Sequence, residues 1–408
     1  MNPGARFEAG IRREAAPGPL PTESDPVLLA QVVAEIELSG PMTFARFMAI
    51  ALYDPEHGYY RTAAERPGRA GDFLTAADLD PIFGAALGRQ VEETWQRLDR
   101  PAAFTLLEYG PGSGSLAVAI LAGLRADGSE LAGLIAYEQV EINAHRRADI
   151  VARLGPGVRL REGPAEAAGR GGPGPGPIDG IVVANEFLDA LPVHRVEGRD
   201  GRLLERFVAL EPATGRLIER AGEPSTPALA ERLAADGVAL AEGQVAEVCL
   251  GVEPWLAEVS RRLARGLVLV IDYGHRATDL YNPARTGGSL RAYVGQRAHA
   301  DPFVAIGRQD LTAHVDLTAL EAAAGRQSFD VLGEVSQAEL LLGCGLEELV
   351  DRIRSDPATT LETWLATRSA VARLLDPAAL GGFRAVLLGR GLATEPPPRG
   401  LSHRLPGR

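Results

Sequence analysis

From residue 104 to residue 274, the chain alternates apolar stretches typical of β-strands with segments whose apolar residues recur at helical spacing. The five apolar stretches, in chain order, are FTLLEYG, LIAYEQVE, VRLREG, DGIVVANEF and GLVLVIDYG. This alternation predicts an α/β fold with a doubly wound, mainly parallel sheet, because the helix after each strand returns the chain to the same edge. Such a sheet binds ligands beyond the carboxyl ends of its strands. We therefore expect functional residues directly after these stretches.

The remaining segments add helices and β-hairpins around the predicted sheet. Hairpins are expected over 194–222, with Asp200-Gly201 as one turn, because this dipeptide favours tight hairpin turns. FRAVLLGRG (383–391) is interpreted as a final edge strand. The predicted divisions are a flexible tail (1–25), an N-terminal helical or lid segment (26–100), the first part of the sheet domain (101–192), a hairpin and helix insertion (193–250), the continuation of the sheet domain (251–275), a substrate-side loop (276–312) and the C-terminal part of the domain (313–395).

Composition excludes several classes of function. The 408 residues carry a net charge of −12, so neither nucleic acid nor an anionic membrane is an expected partner. No apolar run approaches the roughly 18 residues that a membrane span requires. Cys249 and Cys344 are the only cysteines and lack a partner motif, which predicts a reducing compartment without disulfides or cysteine-bound metal. We expect a bacterial, cytoplasmic protein.

The turn after the first strand, EYGPGSG, has glycine at alternate positions, namely Gly110, Gly112 and Gly114. Alternate glycines let the backbone approach a ligand closely, and their place between a strand and a helix is typical of nucleotide-type loops. Ser115 stands where the dinucleotide fingerprint has its third glycine. Glu108 would repel a pyrophosphate but favours the ammonium and sulfonium groups of S-adenosylmethionine. The turn therefore predicts S-adenosylmethionine as the cofactor, with a dinucleotide as the alternative.

Further acids follow the next strands. A carboxylate after the second strand would bind the ribose hydroxyls, and Glu141 is the candidate because Glu138 would point to the opposite face. After the fourth strand, Asn185, Glu186 and Asp189 stand within five residues, where they would face the reactive end of the cofactor. These three residues are catalytic candidates, and Asn185 is also a cofactor-binding candidate. The alternative, which is compatible with these roles, is that Asn185 caps a helix and that Glu186 and Asp189 favour its positive end.

Six motifs resemble those of the MidA-like methyltransferases and occur in the same order. They are GDFLTAADLDPIFG (71–84), EYGPGSGSL (108–116), NEFLDALPVHR (185–195), VIDYG (270–274), TGGSLRAY (286–293) and GRQDLTAHVDLTAL (307–320). The resemblance spans roughly residues 30 to 390. It implies a class I, Rossmann-like methyltransferase fold, S-adenosylmethionine as the cofactor and a protein arginine as the methyl acceptor. Because the family includes a mitochondrial complex I assembly factor, the implied protein substrate is a respiratory complex I subunit.

Carried over by position, the motifs add one catalytic candidate, Asp272, to the residues already named. Four positions depart from the family's pattern. They are Ser113, where the family commonly has arginine, Ala119, where it has an acid, Ala77, where it has proline, and Gln296, where it has a histidine. These departures bear on the protein substrate more than on the cofactor turn.

An arginine acceptor is a poor nucleophile because its guanidinium is protonated at neutral pH. We expect Glu186 and Asp189 to bind that guanidinium through charged hydrogen bonds, helped by Asp272 or Asp310, and to leave one nitrogen facing the methyl group. His314 is a candidate base, with a structural role as the alternative. No metal is expected, because the other histidines lack metal-ligand spacing.

Two other functions stay open at this point. A non-catalytic assembly factor could use the cofactor as a structural ligand, and an NAD-dependent oxidoreductase would follow from the dinucleotide alternative. The expected partners are a protein substrate and, in a homodimer, a second copy of the chain. The segment 278–310 is a candidate for closing over the substrate.

Overall fold

Strands and helices alternate through much of the computed structural model, which describes residues 22–62, 75–155, 159–161, 176–294 and 297–405. Its strands are β1 (Met42–Thr43), β2 (Thr105–Tyr109), β3 (Ala136–Val140), β4 (Arg159–Arg161), β5 (Ile178–Asn185), β6 (His194–Arg199), β7 (Arg202–Leu210), β8 (Leu217–Gly222), β9 (Val245–Val248), β10 (Leu263–Asp272), β11 (Gly274–His275), β12 (Arg291–Val294), β13 (Arg297–His299), β14 (Asp310–Thr312), β15 (Val315–Asp316), β16 (Asp330–Ser336) and β17 (Arg384–Arg390). Its helices are α1 (Pro26–Ser39), α2 (Phe44–Tyr53), α3 (Tyr59–Thr62), α4 (Ala76–Leu79), α5 (Ile82–Arg97), α6 (Ser115–Ala126), α7 (Ala144–Leu154), α8 (Ala228–Ala235), α9 (Val252–Arg262), α10 (Ala277–Leu280), α11 (Leu317–Arg326), α12 (Gln337–Gly343), α13 (Leu346–Ser355) and α14 (Leu361–Leu375).

Several helices begin where a polar side chain accepts hydrogen bonds from the first N–H groups of the helix. Asp25 caps α1, Asn143 caps α7 and Asp316 caps α11 in this way. At α12, Ser336 and Glu339 form a reciprocal capping box. Each cap satisfies N–H groups that have no partner inside the helix, so the sequence fixes where these helices start.

Seven of the described strands form the central sheet, in the order β16-β17-β10-β5-β2-β3-β4. The strands from β10 to β4 run parallel, and β17 runs antiparallel to both of its neighbours. The predicted doubly wound, mainly parallel sheet is therefore confirmed. The prediction of an edge strand over 383–391 is wrong, because β17 lies between β10 and β16. Its central residues are buried on both faces, as an interior position requires.

Apolar side chains cover both faces of this sheet. Along β2, Leu106 packs against residues of α5 and α6, whereas Leu107 packs against residues of α9 and α11. Successive side chains of a strand point to opposite faces, so a strand that is covered on both faces is apolar along its length. Polar residues are therefore left to the strand ends, where the site lies.

The insertion after β5 forms an antiparallel sheet with the N-terminal segment. The order is β1-β7-β6-β9, and β8 also pairs with β7. The predicted hairpin is confirmed: β6 and β7 pair across Asp200 and Gly201, whose φ angles of 52° and 68° suit a type I′ turn. Pairing of β1 with β7 joins the N-terminal segment to the insertion. The division of the chain into domains stays a prediction.

The carboxyl ends of β2 and β5 lie side by side where the strand order reverses, the place at which sheets of this type bind ligands. Helix α3 is tied to this place, because the side-chain amide of Asn143 donates to the carbonyl oxygens of Tyr60 and Arg61 at 3.2 and 3.0 Å. Within the described residues, the helices are all too short or too polar to cross a membrane.

Candidate active site

A cleft opens at this reversal of strand order, and the empty space in and in front of it, open solvent included, is about 1060 Å³. The turns after β2, β3 and β5 form its walls, and tyrosines of the N-terminal segment form its roof. The predicted site residues that line it are Glu108, Gly110, Gly112, Glu141, Asn185, Glu186 and Asp189. Gly114 and Asp272 do not line it. The sequence therefore predicted residues on most of the walls of one cleft.

The glycine turn adopts a backbone conformation that side chains disfavour. Gly110, Gly112 and Gly114 have φ angles of 63°, 55° and 74°, in the left-handed region. A Cβ on Gly110 would also lie 2.9 Å from the Cδ2 atom of Phe187. Gly114 stands at the start of α6 and not in the cleft wall. The turn thus presents bare backbone to a ligand, and Gly114 serves the start of the helix.

Glu108 presents a buried carboxylate to the cleft. It is 3% exposed, and its Oε2 accepts a hydrogen bond from the Tyr137 hydroxyl at 2.8 Å. Burial raises the pKa of Glu108 to about 7, and the nearby Glu141 raises it, whereas the Tyr137 hydrogen bond lowers it. A cationic ligand would favour the ionised form. The position therefore suits a positively charged group.

Glu141 follows β3 and forms the next part of the wall. Its Oε1 accepts a hydrogen bond from the N–H of Asn143 at 2.7 Å. Burial raises the pKa of Glu141, while Asn143 and the neighbouring Arg146 lower it. Glu138, in contrast, pairs with Arg262 at 2.6 and 2.8 Å, away from the cleft. Glu141 is thus the acid of this strand that faces the cleft, as the alternation of side chains predicts.

Glu186 combines an uncommon backbone conformation with an unpaired oxygen atom. Its φ angle is 50°, in a region that non-glycine residues rarely adopt. Its Oε1 accepts hydrogen bonds from the N–H of Ala76 and the amide of Asn185, but its buried Oε2 has no partner among the described residues. Burial raises the pKa of Glu186 to about 8, and the neighbouring Asp189 raises it as well. Strain and an unpaired polar atom at one residue indicate a functional position.

Two more buried oxygens of this turn lack hydrogen-bond partners in the described part of the chain, namely Oδ1 of Asn185 and Oδ1 of Asp189. The other carboxylate oxygen of Asp189 accepts a hydrogen bond from the Tyr273 hydroxyl. Burial raises the pKa of Asp189 to about 6. Together with Oε2 of Glu186, the turn offers three buried acceptor atoms that the described protein leaves unpaired.

Asp272 binds the backbone of the same turn and lies outside the cleft lining. Its Oδ2 accepts hydrogen bonds from the N–H groups of residues 187, 188 and 189 at 3.2, 2.9 and 3.2 Å, and its Oδ1 accepts one from Tyr273 at 2.9 Å. The side chain is fully buried and does not line the cleft. We therefore assign Asp272 to positioning and not to catalysis. Because Asp272 accepts hydrogen bonds from these N–H groups, the expectation that Asn185 caps a helix is wrong, whereas Asp189 does stand in the first turn of the short 3-10 helix Leu188–Ala190.

The roof of the cleft was missed by sequence reasoning. The rings of Tyr53 and Tyr60 stack with their centroids 5.5 Å apart, and Tyr59 lines the cleft beside them. The Tyr60 hydroxyl donates to Oδ1 of Asp310 at 2.7 Å, and the Tyr53 hydroxyl donates to the carbonyl oxygen of Ala190 at 2.7 Å. The available signal was YDPEHGYY, a polar loop unusually rich in tyrosine. Asp310, named from the sequence as a helper, lines the cleft.

His314 lies outside the cleft lining. Its ring packs edge-on against Tyr273, with centroids 5.4 Å apart, and lies 5.2 Å from the ring of His275. Burial lowers the pKa of His314 to about 4, and the charges of His275 and Arg285 lower it too. The ring is therefore neutral at pH 7, and its position favours the structural role over that of a base.

The residues that depart from the family's pattern lie at different places relative to the cleft. The Ser113 hydroxyl donates to the Asp78 carboxylate at 2.7 Å at the edge of the cleft, where the family has arginine. Ala119 is buried in the close packing of α5 against α6, away from the cleft. Ala77 lines the cleft, and Gln296 lies outside the described residues. None of these departures falls on Gly110, Gly112 or Gly114.

The walls fit S-adenosylmethionine better than a phosphate-bearing cofactor. Gly110 and Gly112 leave backbone open to the ligand, Glu108 would bind its cationic methionine end, and Glu141 would bind its ribose hydroxyls. A pyrophosphate in the same turn would meet the Glu108 carboxylate. Among the described residues, the structure has no group of three histidine, cysteine or acidic side chains arranged to bind a metal.

Comparison with known proteins agrees with this geometry. Residues 86–335 match the family model described as "Putative S-adenosyl-L-methionine-dependent methyltransferase". The chain belongs to this family. A structure from Burkholderia thailandensis bound to S-adenosyl-homocysteine is 32% identical with a TM-score of 0.81, and the match covers 92% of this chain and 94% of that one. The mitochondrial protein arginine methyltransferase NDUFAF7 of Rattus norvegicus is 30% identical over 355 residues, or 80% of this chain and 76% of the relative. The Mus musculus NDUFAF7 is 29% identical over 354 residues, with the same coverage.

Family membership confirms two predictions. The fold is that of class I methyltransferases, and the cofactor is S-adenosylmethionine. The prediction of a MidA-like relationship is confirmed as well. The dinucleotide alternative is therefore set aside. The roles of individual residues and the nature of the acceptor are proposals.

Proposed function

We propose that the protein transfers the methyl group of S-adenosylmethionine to an arginine side chain of a protein substrate. The observation that carries this proposal is the set of three buried acceptor atoms, on Asn185, Glu186 and Asp189, that have no partner among the described residues. A guanidinium has five N–H donors and no acceptor. An arginine would therefore supply the donors that this turn lacks.

The carboxylates of the turn would bind and orient the guanidinium. Glu186 and Asp189 have raised pKa values of about 8 and 6 in the ligand-free cleft. A cationic side chain between them would favour their ionised forms and form charged hydrogen bonds with both. Asp310, held by Tyr60 at 2.7 Å, adds a third carboxylate to the cleft. Two guanidinium nitrogens would be bound in this way, and the third would face the cofactor turn.

Alignment and exclusion of water account for most of the expected catalysis. When bound, S-adenosylmethionine supplies an electrophilic methyl group and leaves as the neutral thioether. The acceptor nitrogen exchanges one proton for the methyl group. We assign that proton to Glu186, because a carboxylate whose pKa is raised to about 8 is a stronger base than an ordinary carboxylate. The tyrosine roof over the cleft would keep water away from the reacting groups.

The nature of the substrate rests on the relatives. Several curated relatives, at 27 to 30% identity, are named protein arginine methyltransferases. Because of the MidA-like motifs, a subunit of respiratory complex I is the candidate substrate. Departures from the family's pattern, such as Ser113, weaken the inference that this chain has the same substrate. A homodimer stays a prediction.

Methyl transfer to a cell lysate tests the proposal. The lysate is prepared from cells that lack this gene, and the protein is incubated with it and with S-adenosylmethionine that carries a labelled methyl group. We expect label in a protein band and, after complete hydrolysis, in methylarginine. Label in another amino acid would contradict an arginine acceptor. Cofactor binding without any labelling would favour the non-catalytic assembly factor instead.

A further inference from the structure

Beside the acceptor carboxylates lies a group of basic side chains that the proposed reaction does not use. It consists of Arg285, Arg291, His275 and His314, and we call it the basic patch. Arg285 Nη2 lies 3.0 Å from Nε2 of His275, and the rings of His275 and His314 lie 5.2 Å apart. Both arginines are close enough for their charge to lower the pKa of His314. The positive charge of the patch is therefore that of the two arginines, on a chain whose net charge is −12.

The two arginines of the patch lack acidic partners within the described part of the chain. Arg285 is hydrogen-bonded to His275, and Arg291 is hydrogen-bonded to the carbonyl oxygen of Leu290. Other arginines, such as Arg195, form ion pairs with glutamates. Acids outnumber arginines in this sequence by 54 to 42, and Asp279 is close enough to raise the pKa of His275. Because neither arginine forms an ion pair within the described residues, both keep charge for an external partner.

The patch adjoins the cleft along one face of the three-stranded sheet β13-β12-β14. In the pairing of β12 with β14, Tyr293 stands opposite Asp310 and Arg291 stands opposite Thr312. Residues two apart on a strand face the same side. Arg291 is therefore one ladder step away from the Asp310 that lines the cleft.

Tyr273 connects the patch to the acceptor carboxylates a second time. Its hydroxyl donates to Asp189, while its ring contacts His314 with centroids 5.4 Å apart. One tyrosine side chain thus separates Asp189 from His314, and Arg285 lies further on, at His275. An extended peptide, at roughly 3.4 Å per residue, covers the tyrosine side chain with about two residues.

We propose that the basic patch binds an acidic side chain that lies one to three residues from the methylated arginine of the protein substrate. This inference rests on the proposed function, because that function places the arginine at Glu186 and Asp189. Adjacent negative and positive sites fix the register of a peptide that carries the opposite pattern. A protein segment suits the patch better than a nucleic acid, which needs a longer basic surface than two arginines provide.

Peptide binding measured by fluorescence anisotropy at low ionic strength tests the inference. The probes are three short peptides: an arginine flanked by aspartates, the same peptide with asparagines as flanks, and the aspartate peptide with glutamine in place of the arginine. They are titrated with protein saturated with S-adenosylhomocysteine. The variant is Arg285→Gln/Arg291→Gln. The control, Arg368→Gln/Arg373→Gln, removes the same charge from exposed positions on α14.

We expect the aspartate-flanked peptide to bind roughly tenfold or more tightly than the asparagine-flanked one. The Arg285→Gln/Arg291→Gln variant should remove this advantage and leave binding of the asparagine-flanked peptide unchanged, and the control should keep the advantage. Equal binding of the two arginine peptides, or equal loss of both in the variant, would overturn the inference. So would an oligonucleotide that bound more tightly than the acidic peptide through the same arginines. The glutamine peptide distinguishes a failure of the proposed arginine site from a failure of the proposed acid-binding patch. Its loss of affinity relative to the aspartate-flanked arginine peptide depends on the arginine site alone.

Discussion

The carboxylates on both walls of the cleft accept hydrogen bonds, but only those on one wall keep a buried oxygen without a described partner. On the cofactor wall, Glu108 accepts a hydrogen bond from Tyr137 and Glu141 accepts one from Asn143. On the acceptor wall, Glu186 and Asp189 each keep one buried oxygen that no described residue pairs. Both walls follow parallel strands of one sheet, so the difference comes from the turns and not from the fold.

This difference suits the two ligands: the cofactor on one wall and the methyl acceptor on the other. A carboxylate that the protein already holds is oriented before its ligand arrives, which suits a cofactor of constant shape. An unpaired buried carboxylate is costly until a donor reaches it, and that cost favours a ligand made only of donors. The acceptor wall also carries the strained backbone of Glu186 and the contacts of Asp272 that hold it.

The largest effect is expected on the acceptor wall. Glu186→Gln should lower kcat for methyl transfer about 100- to 1000-fold, because the guanidinium loses a charged partner and the acceptor nitrogen loses its base. The affinity for S-adenosylhomocysteine should change less than about threefold, since Glu186 is not assigned to the cofactor. Single-turnover labelling and calorimetry measure the two quantities. Glu362→Gln, at an exposed position of α14, is the matched control. Persistent turnover in Glu186→Gln would remove the assigned role.

On the cofactor wall, we expect a substitution to weaken cofactor binding and to leave kcat almost unchanged. Glu141→Gln should weaken binding of S-adenosylmethionine by roughly 10- to 100-fold, because a charged acceptor for the ribose hydroxyls is lost. At saturating cofactor, kcat should stay within a few-fold of the unaltered enzyme. Calorimetric titration together with initial rates distinguishes the two effects. If kcat fell as in Glu186→Gln, the two walls would not have separate tasks.

A pH profile sharpens the comparison further. Glu186 is protonated below its pKa of about 8, so kcat/KM for the acceptor should fall roughly tenfold for each pH unit below that value. The raised pKa also means that ionisation of Glu186 disfavours the folded, ligand-free state. The Tm of the unaltered protein should therefore fall relative to that of Glu186→Gln as the pH rises from about 5 to about 8. A flat rate profile between pH 6 and pH 8 would contradict the raised pKa.

The smallest effect is expected at the roof. Tyr60→Phe removes the 2.7 Å hydrogen bond to Asp310 and keeps the ring that stacks on Tyr53. We expect kcat/KM for the acceptor to fall by about three- to tenfold, which corresponds to the net contribution of a typical hydrogen bond, about 0.5–1.5 kcal/mol. Steady-state rates with a peptide that the enzyme methylates measure this change. No change would mean that Asp310 does not need Tyr60 to stay in the cleft, and a loss as large as that of Glu186→Gln would give the roof a direct part in the reaction.

Local sequence signals predicted the parts of the site that lie directly after strands. Glu108, Glu141 and Glu186 follow or end apolar runs, so the reversal from apolar to polar marks them without knowledge of the fold. The glycines at 110 and 112 were predicted for the same reason. Asp272 carries the same signal, yet its role could not be read from it, because the four N–H groups that it binds belong to turns brought together only by the sheet.

Long-range pairing accounts for most of what the sequence did not predict. The hydrogen bond between Tyr60 and Asp310 joins residues 250 positions apart, and no periodicity encodes it. The strand β16 was missed because DVLGEVS is short and carries two acids. The order of β17 and β16 depends on which strands pair, which the apolar pattern of either strand leaves open.

Proton release on acceptor binding tests the central claim most directly. A peptide that the enzyme methylates is titrated into protein saturated with S-adenosylhomocysteine at pH 7, in buffers with different heats of ionisation. If the guanidinium pairs with the buried carboxylates, Glu186 ionises on binding, and the calorimeter should record the release of about one proton per peptide. Binding without proton release, or the same release from Glu186→Gln, would contradict the assignment of this turn as the arginine site.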